Sequence, residues 1–135
     1  MSSKIIYLED NGVILEFSGI LNWKDIYDAN EKIYTTPEQI RSIHYQIADF
    51  TDVETTDITS AQVQKLAEQD SSAAKINPDM ILAIVGSDDL VYGLARMWEA
   101  YASEVSFEKA VFRQLEDAKK WINQKVSAIH DNKAV

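Results

Sequence analysis

Apolar residues along this chain follow two rhythms, a period of two or a continuous run that marks strands, and a period near 3.6 that marks helices. Residues 4–8 and 13–17 are short apolar runs separated by Glu9-Asp10-Asn11-Gly12. Asn-Gly supplies the positive φ angles of a tight type I′ turn, so the spacing predicts an antiparallel hairpin. Gly19 ends the second strand, and Asn22 offers an N-cap for a helix in which Trp23, Ile26, Tyr27, Asn30, Ile33 and Tyr34 recur at helical spacing. Thr35-Thr36-Pro37 stops that helix. Residues 43–50 alternate and predict a third strand, with Ile43, Tyr45 and Ile47 on one side and His44, Gln46 and Ala48 on the other. Thr59 with Gln62 three residues later forms a capping-box pattern that opens a helix to about Ser72. The continuous run 80–85, ending at Gly86, predicts a buried central strand.

The segment 88–104 departs from an ordinary surface helix. At helical pitch Met97, Leu90, Tyr101, Leu94, Trp98, Val91, Ala102 and Ala95 fall in an arc of roughly 160°. A helix lying on one core needs an apolar stripe only somewhat over about 100° wide. The opposite face carries Asp89, Tyr92, Arg96, Glu99 and Ser103. Either the wide arc covers a sheet and touches a neighbouring helix, or one margin of it faces a ligand, a second subunit or a lid position. Ser87 is the expected cap of this helix. Gly93 inside it costs about 1 kcal/mol against alanine, a cost that close approach of another backbone or of a ligand would justify. Residues 105–112 predict a last strand, and a closing helix buries Leu115, Ala118, Trp121, Ile122 and Val126. Residues 127–135 have no periodicity and are expected to fray.

The predicted order is therefore ββαβαβαβα: a single α/β domain over residues 1–126 with a frayed tail at 127–135. Its mixed sheet of about five strands has an N-terminal antiparallel hairpin and later parallel strands, flanked by about four helices. A length of 135 residues with 46% hydrophobic content suits one domain with a real core. Thirteen basic against 22 acidic residues leave a net charge of −9, a field that repels nucleic acid and anionic membranes. Nucleic-acid binding is not expected on that ground. With no cysteine there is no disulfide framework, thiol nucleophile or thiolate metal site. The apolar run at the N-terminus is too short for a signal peptide, and no stretch reaches the ~20 apolar residues of a membrane span, so the expected location is the cytoplasm.

Two stretches resemble a known family. Gly19-Ile20-Leu21-Asn22 resembles the glycine-and-leucine turn from the second strand to the first helix of the SpoIIAA-like family, the STAS-like domains related to bacterial anti-anti-sigma factors. Residues 87–99, SDDLVYGLARMWE, resemble the "pdd-x-x-fGlaRmyE" segment of the SpoIIAA-like branch, and residues 111–122 are similar to its last strand and final helix. The resemblance implies a non-catalytic α/β binding module. Anti-anti-sigma factors carry a phosphorylatable serine in an Asp-Ser-Ser-Gly turn at the start of the helix after the third strand. Here the matching region has no glycine and several extra residues, and Thr59 and Ser60 stand at the corresponding helix start. A helix dipole favours phosphate there, whereas Asp49, Asp52, Glu54 and Asp57 oppose it. At the level of fold the branch also resembles CRAL-TRIO lipid-transfer domains, which hold an apolar ligand beneath a mobile helix.

Catalytic constellations are weak. The four acids at 49–57 lack the glycine and distal glutamate of a calcium loop and read as a solvated acidic loop. His44 and His130 have no convergent partners for a triad or a zinc site. The expected protein is non-enzymatic, without cofactor or metal, and recognises an apolar small ligand or a protein partner. The expected contact residues are Leu90, Tyr92, Leu94, Arg96, Met97, Trp98 and Tyr101. Thr59 and Ser60 are weak phosphorylation candidates. A CRAL-TRIO-like lipid carrier that associates transiently with membranes, and a homodimer through the apolar arc or the hairpin edge, are the competing expectations.

Overall fold

The computed structural model describes residues 2–133 of the chain. Five strands form one sheet in the order β1-β2-β3-β4-β5. They are β1 Ser2–Tyr7, β2 Gly12–Leu21, β3 Tyr45–Thr56, β4 Ile81–Val85 and β5 Glu108–Phe112. The first pair is antiparallel and every later pair is parallel. The helices are α1 Trp23–Ile33, α2 Pro37–Ser42, α3 Ser60–Ile76, α4 Asp89–Tyr101 and α5 Leu115–Lys133. A 3-10 turn, Ala102–Glu104, follows α4.

Sequential strand order has a direct consequence. Each crossover moves the chain one strand in the same direction, and such connections are right-handed in nearly all cases, so the crossover helices share one face of the sheet. The buried side chains divide accordingly. Gln46, Ala48 and Phe50 of β3, with Leu82 and Ile84 of β4, meet α1, α3 and α4. Tyr45 and Ile47, with Ile81, Ala83 and Val85, pack against Ala118 and Ile122 of α5. All five residues of β4 are buried, as the continuous apolar run predicts for a strand covered on both faces.

The local signals act largely as read, with several differences. The first turn is not type I′. Asn11 alone adopts a left-handed φ of 67°, its N–H donates to Leu8 O at 3.1 Å, and Leu8 N–H donates to Gly12 O at 2.9 Å. This is a three-residue hairpin loop ending in a left-handed residue. Gly12 is required for another reason: a Cβ there would lie 2.1 Å from Cζ of Tyr45.

Pro37 ends nothing already running. Tyr34 caps the C-terminus of α1, and Pro37 opens the short α2 behind the Thr36 cap, giving one helix more than expected. His44 precedes β3 and is exposed. β3 continues to Thr56, so Asp49, Asp52 and Glu54 lie on a strand rather than in a loop. Helix α3 runs one turn past Ser72, while β5 begins at Glu108. Helix α5 continues through residues 127–133, which were expected to fray, whereas residues 134 and 135 and the side chain of His130 lie outside the described residues.

Beyond its last pairing with β4 (Asp49 with Val85), β3 remains bonded only to β2, through Thr56. This two-stranded ribbon carries register shifts at Glu16/Ser18 and at Gly19/Ile20, and Gly19 has a φ of 77°. Such irregularities bend a strand and increase its twist. The ribbon therefore overhangs the sheet, on the side where α1, α3 and α4 gather. No helix among the described residues is long and apolar enough to cross a membrane.

A candidate ligand cavity beneath helix α4

Helix α4 starts at an Asp88 cap, not at Ser87. The Asp88 carboxylate accepts from the N–H groups of Leu90 at 2.9 Å and Val91 at 3.3 Å. Its wide apolar arc resolves into two stripes. Val91, Ala95, Trp98 and Ala102 are buried and pack into the core. The second stripe, also at helical spacing, is Leu90, Leu94, Met97 and Tyr101. Leu90 is 52% and Tyr101 39% exposed, while Leu94 and Met97 are half-buried. Gly93 approaches nothing: a Cβ there would meet no heavy atom within 4 Å, so the close-contact explanation for this glycine does not hold.

The polar expectations also find places. The Arg113 guanidinium stacks on Tyr92 at 4.2 Å and pairs with Asp89 at 2.8 Å, tying the end of β5 to the start of α4. Arg96 is exposed, pairs with Glu99 at 3.0 Å, and is held above the usual arginine pKa by its hydrogen bond with Tyr92 and by Glu99. Thr59 caps α3 in a full capping box with Gln62. The Ser60 and Tyr101 hydroxyls lie 2.8 Å apart and join the start of α3 to the end of α4. Thus half-buried Tyr92 and Glu99 flank the exposed Arg96 in a polar cluster on a face of α4 separate from its buried stripe.

Between α4, α3, α1 and the sheet lies a cavity of about 70 Å³. Its walls are almost wholly apolar: Leu21, Phe50, Val63, Leu66, Leu82, Ile84, with Val91, Leu94 and Ala95 from α4. The half-buried lining residues Ile26, Thr56, Ile58 and Leu94 form its outer rim. The overhanging ribbon contributes Leu21, Phe50 and Thr56.

One end of this cavity is polar. Asp70, on α3, is buried, and its carboxylate accepts from the Trp98 indole N–H and the Tyr34 hydroxyl, each at 2.9 Å. The Tyr34 hydroxyl in turn accepts from the side-chain amide of Gln46, which also donates to Sδ of Met80 at 3.3 Å. No cation among the described residues pairs with Asp70. Burial pushes its carboxyl up to about 6, while the bonds from Tyr34 and Trp98 pull the other way. Burial, then the neighbouring Asp70 charge, holds Tyr34 well above an ordinary phenol.

Of the seven expected contact residues, Leu94 and Trp98 line this cavity, Met97 packs against the core beside it, Tyr92 is half-buried under Arg113, and Leu90, Arg96 and Tyr101 stand on the surface. Asp70, Tyr34 and Gln46 were not among the expected site residues. The pattern nevertheless holds a signal for Asp70, which follows Val63 by seven positions and Leu66 by four and so shares their inward face. Among the described residues no group of three or more His, Cys, Asp or Glu side chains could hold a metal ion.

No protein-family model and no curated protein sequence matches the chain. Solved structures do. The chain is similar to the anti-sigma factor antagonist SpoIIAA in its unphosphorylated form, with a TM-score of 0.60 at 11% identity, covering 90% of this chain and 98% of that one. It is also similar to the Bacillus cell fate determinant SpoIIAA in the phosphorylated form, with a TM-score of 0.58 at 12% identity, covering 90% and 99%. The chain has the SpoIIAA-like fold, with the mixed five-stranded sheet described above.

Proposed function

We propose that this protein is a non-enzymatic binding module of regulatory type that takes a small apolar ligand into the cavity beneath α4. The observation that carries this reading is the cavity itself, apolar on its walls, reaching the surface at Ile26, Thr56, Ile58 and Leu94, and ending in one small polar group. Apolar concavities with few convergent polar groups are the usual form of a ligand site. The SpoIIAA structures that share the fold are described as an anti-sigma factor antagonist and a cell fate determinant, which supports a regulatory rather than a catalytic role.

A volume of about 70 Å³ suits a ligand of a few heavy atoms. An acyl chain would need α4 to swing away, breaking the Trp98–Asp70 bond, the Arg113–Asp89 pair and the Ser60–Tyr101 contact. Those three anchors favour the small ligand over the CRAL-TRIO-like lid. A nuclear magnetic resonance titration with primary alcohols of increasing length tests the reading, using the Trp98 indole N–H as the readout. Affinity should rise over the shortest members and then level off, and Ala95→Leu, which fills the cavity, should remove it. A failure of every alcohol to shift Trp98 overturns the assignment, and a rise that continues to long chains favours the lipid carrier.

One contact supports a second reading, a protein partner recognised at the exposed stripe. The Ser60–Tyr101 bond places a phosphorylatable hydroxyl, at the start of the helix after the third strand, against the exposed end of α4. Phosphate on Ser60 would displace Tyr101 and alter the surface formed with Leu90. Leu90→Asp and Ser60→Asp should weaken partner capture while leaving alcohol binding intact; unchanged capture by both variants removes this reading.

A further inference from the structure

The polar end of the cavity specifies more than a need for hydrogen bonding. An ionised carboxylate offers about four lone-pair positions across its two oxygens. In Asp70 each oxygen accepts one hydrogen bond, from Tyr34 and from Trp98. Both donors are neutral, and no Lys, Arg or His among the described residues pairs with the carboxylate. A buried charge ordinarily has a counter-charge, because burial without one is costly. Here the carboxyl instead lines an apolar cavity that reaches the surface. We infer that the cavity takes a small alkyl amine, its ammonium group completing the unpaired Asp70 carboxylate and its alkyl part lying among Leu66, Val91, Leu94 and Ala95.

This inference rests on the cavity being a ligand site and adds the chemical class of the ligand. The alkyl walls exclude a strongly hydrated polyamine, and the carboxylate repels an organic acid. Trp98 is the coupling element. Its N–H bonds the same carboxylate that would receive the ammonium, so occupancy bears on the packing of α4 against α3. The groups around the carboxyl are Tyr34 at the C-cap of α1, Trp98 from α4, and Gln46 with Met80 from the sheet side. Of these only Tyr34 titrates, and it stays neutral through the range below.

The test compares 2-methylpropan-1-amine with 2-methylpropan-1-ol, two ligands of one shape that differ in charge, by titration into the whole protein with the Trp98 indole N–H observed. At pH 7.5 the amine should bind roughly tenfold or more tightly than the alcohol, as a charge-assisted hydrogen bond replaces a neutral one. The preference should shrink as pH falls to 5, where the amine keeps its charge and Asp70, held up to about 6, is protonated. Asp70→Asn should bind both ligands alike. Alcohol binding with equal or weaker amine binding at pH 7.5 overturns the inference and leaves the cavity reading standing. Amine shifts confined to exposed acidic residues, without movement of Trp98, also overturn it. Failure of both ligands to move Trp98 removes the inference together with the cavity reading. If Asp70→Asn does not fold, the pH series on the native chain decides alone.

Discussion

The indole N–H of Trp98 donates to Oδ2 of Asp70 at 2.9 Å, joining α4 to α3 through a carboxyl buried in the core. The ring of Trp98 also meets Phe107 edge-on at 6.4 Å. Packing and polarity thus rest on the same side chain and can be separated by substitution. Trp98→Phe retains much of the apolar area but leaves one carboxylate oxygen without its donor. At pH 7.5 it should cost about 1–3 kcal/mol of unfolding free energy, measured by urea titration, and leave the circular dichroism spectrum folded.

Acidification should stabilise this protein over a defined window. Asp70 is held at about 6, above the ordinary aspartate range, so the folded state binds the proton more tightly than the unfolded chain does. The stability linked to that proton is fully present below the unfolded pKa and is lost as pH rises through about 6. Unfolding free energy should therefore increase between pH 7.5 and about pH 4.5, with this group contributing about 2 kcal/mol over that range. Denaturant midpoints measured at several pH values provide the check. Asp70→Asn should flatten the profile, and an equally steep rise in that variant would assign it to other groups.

Gly12 and Tyr45 make a second separable pair. The Tyr45 hydroxyl donates to Asp10, whose Oδ1 also accepts from Gly12 N–H at 3.1 Å, so hairpin loop and third strand are held by one carboxylate. Burial, then the bond to Asp10 and its charge, pushes Tyr45 up to about 12. Gly12→Ala would press a methyl group into the Tyr45 ring. It should destabilise the protein by about 1–3 kcal/mol and return the ionisation of Tyr45 toward that of an ordinary phenol, read by ultraviolet titration.

Gly93 predicts the opposite sign. Its φ is not in the left-handed region, and a Cβ there meets open space. Gly93→Ala should raise stability by about 0.5–1 kcal/mol, by relieving the conformational freedom of glycine in the unfolded chain. A thermal melt is enough to check it.

The scaffold was legible because its signals are local and agree with one another. The β4 run reads as doubly covered, Asn22 and Thr59 read as caps, and both observations survive in the structure. The candidate site was legible only in part. The surplus apolar surface of α4 pointed to Leu94 and Trp98, which do line the cavity. Tyr34, Gln46 and Asp70 were hidden because each belongs to a different element, separated by up to 36 residues, and each has an ordinary reading alone. Asp70 stands in a polar stretch, Glu68-Gln69-Asp70-Ser71-Ser72, where an acid normally faces water. Only tertiary packing turns these three toward one point. The reason for glycine at position 12 was hidden in the same way, since it comes from Tyr45, more than 30 positions away.

The doubled strand that runs on past β4 has a broader consequence. Leu21, Phe50 and Thr56 shape the cavity, yet they sit on an extension bonded only to itself at its tip, beyond the last pairing with β4. Shortening or re-bending that extension would reshape the cavity, and because Leu21, Phe50 and Val53 belong to the main buried core, with Phe50 stacked on Phe17 at 4.9 Å, it would loosen the packing under α1, α3 and α4 as well. Cavity shape and foldability on that face of the sheet are thereby written on the same side chains, so neither can drift without the other.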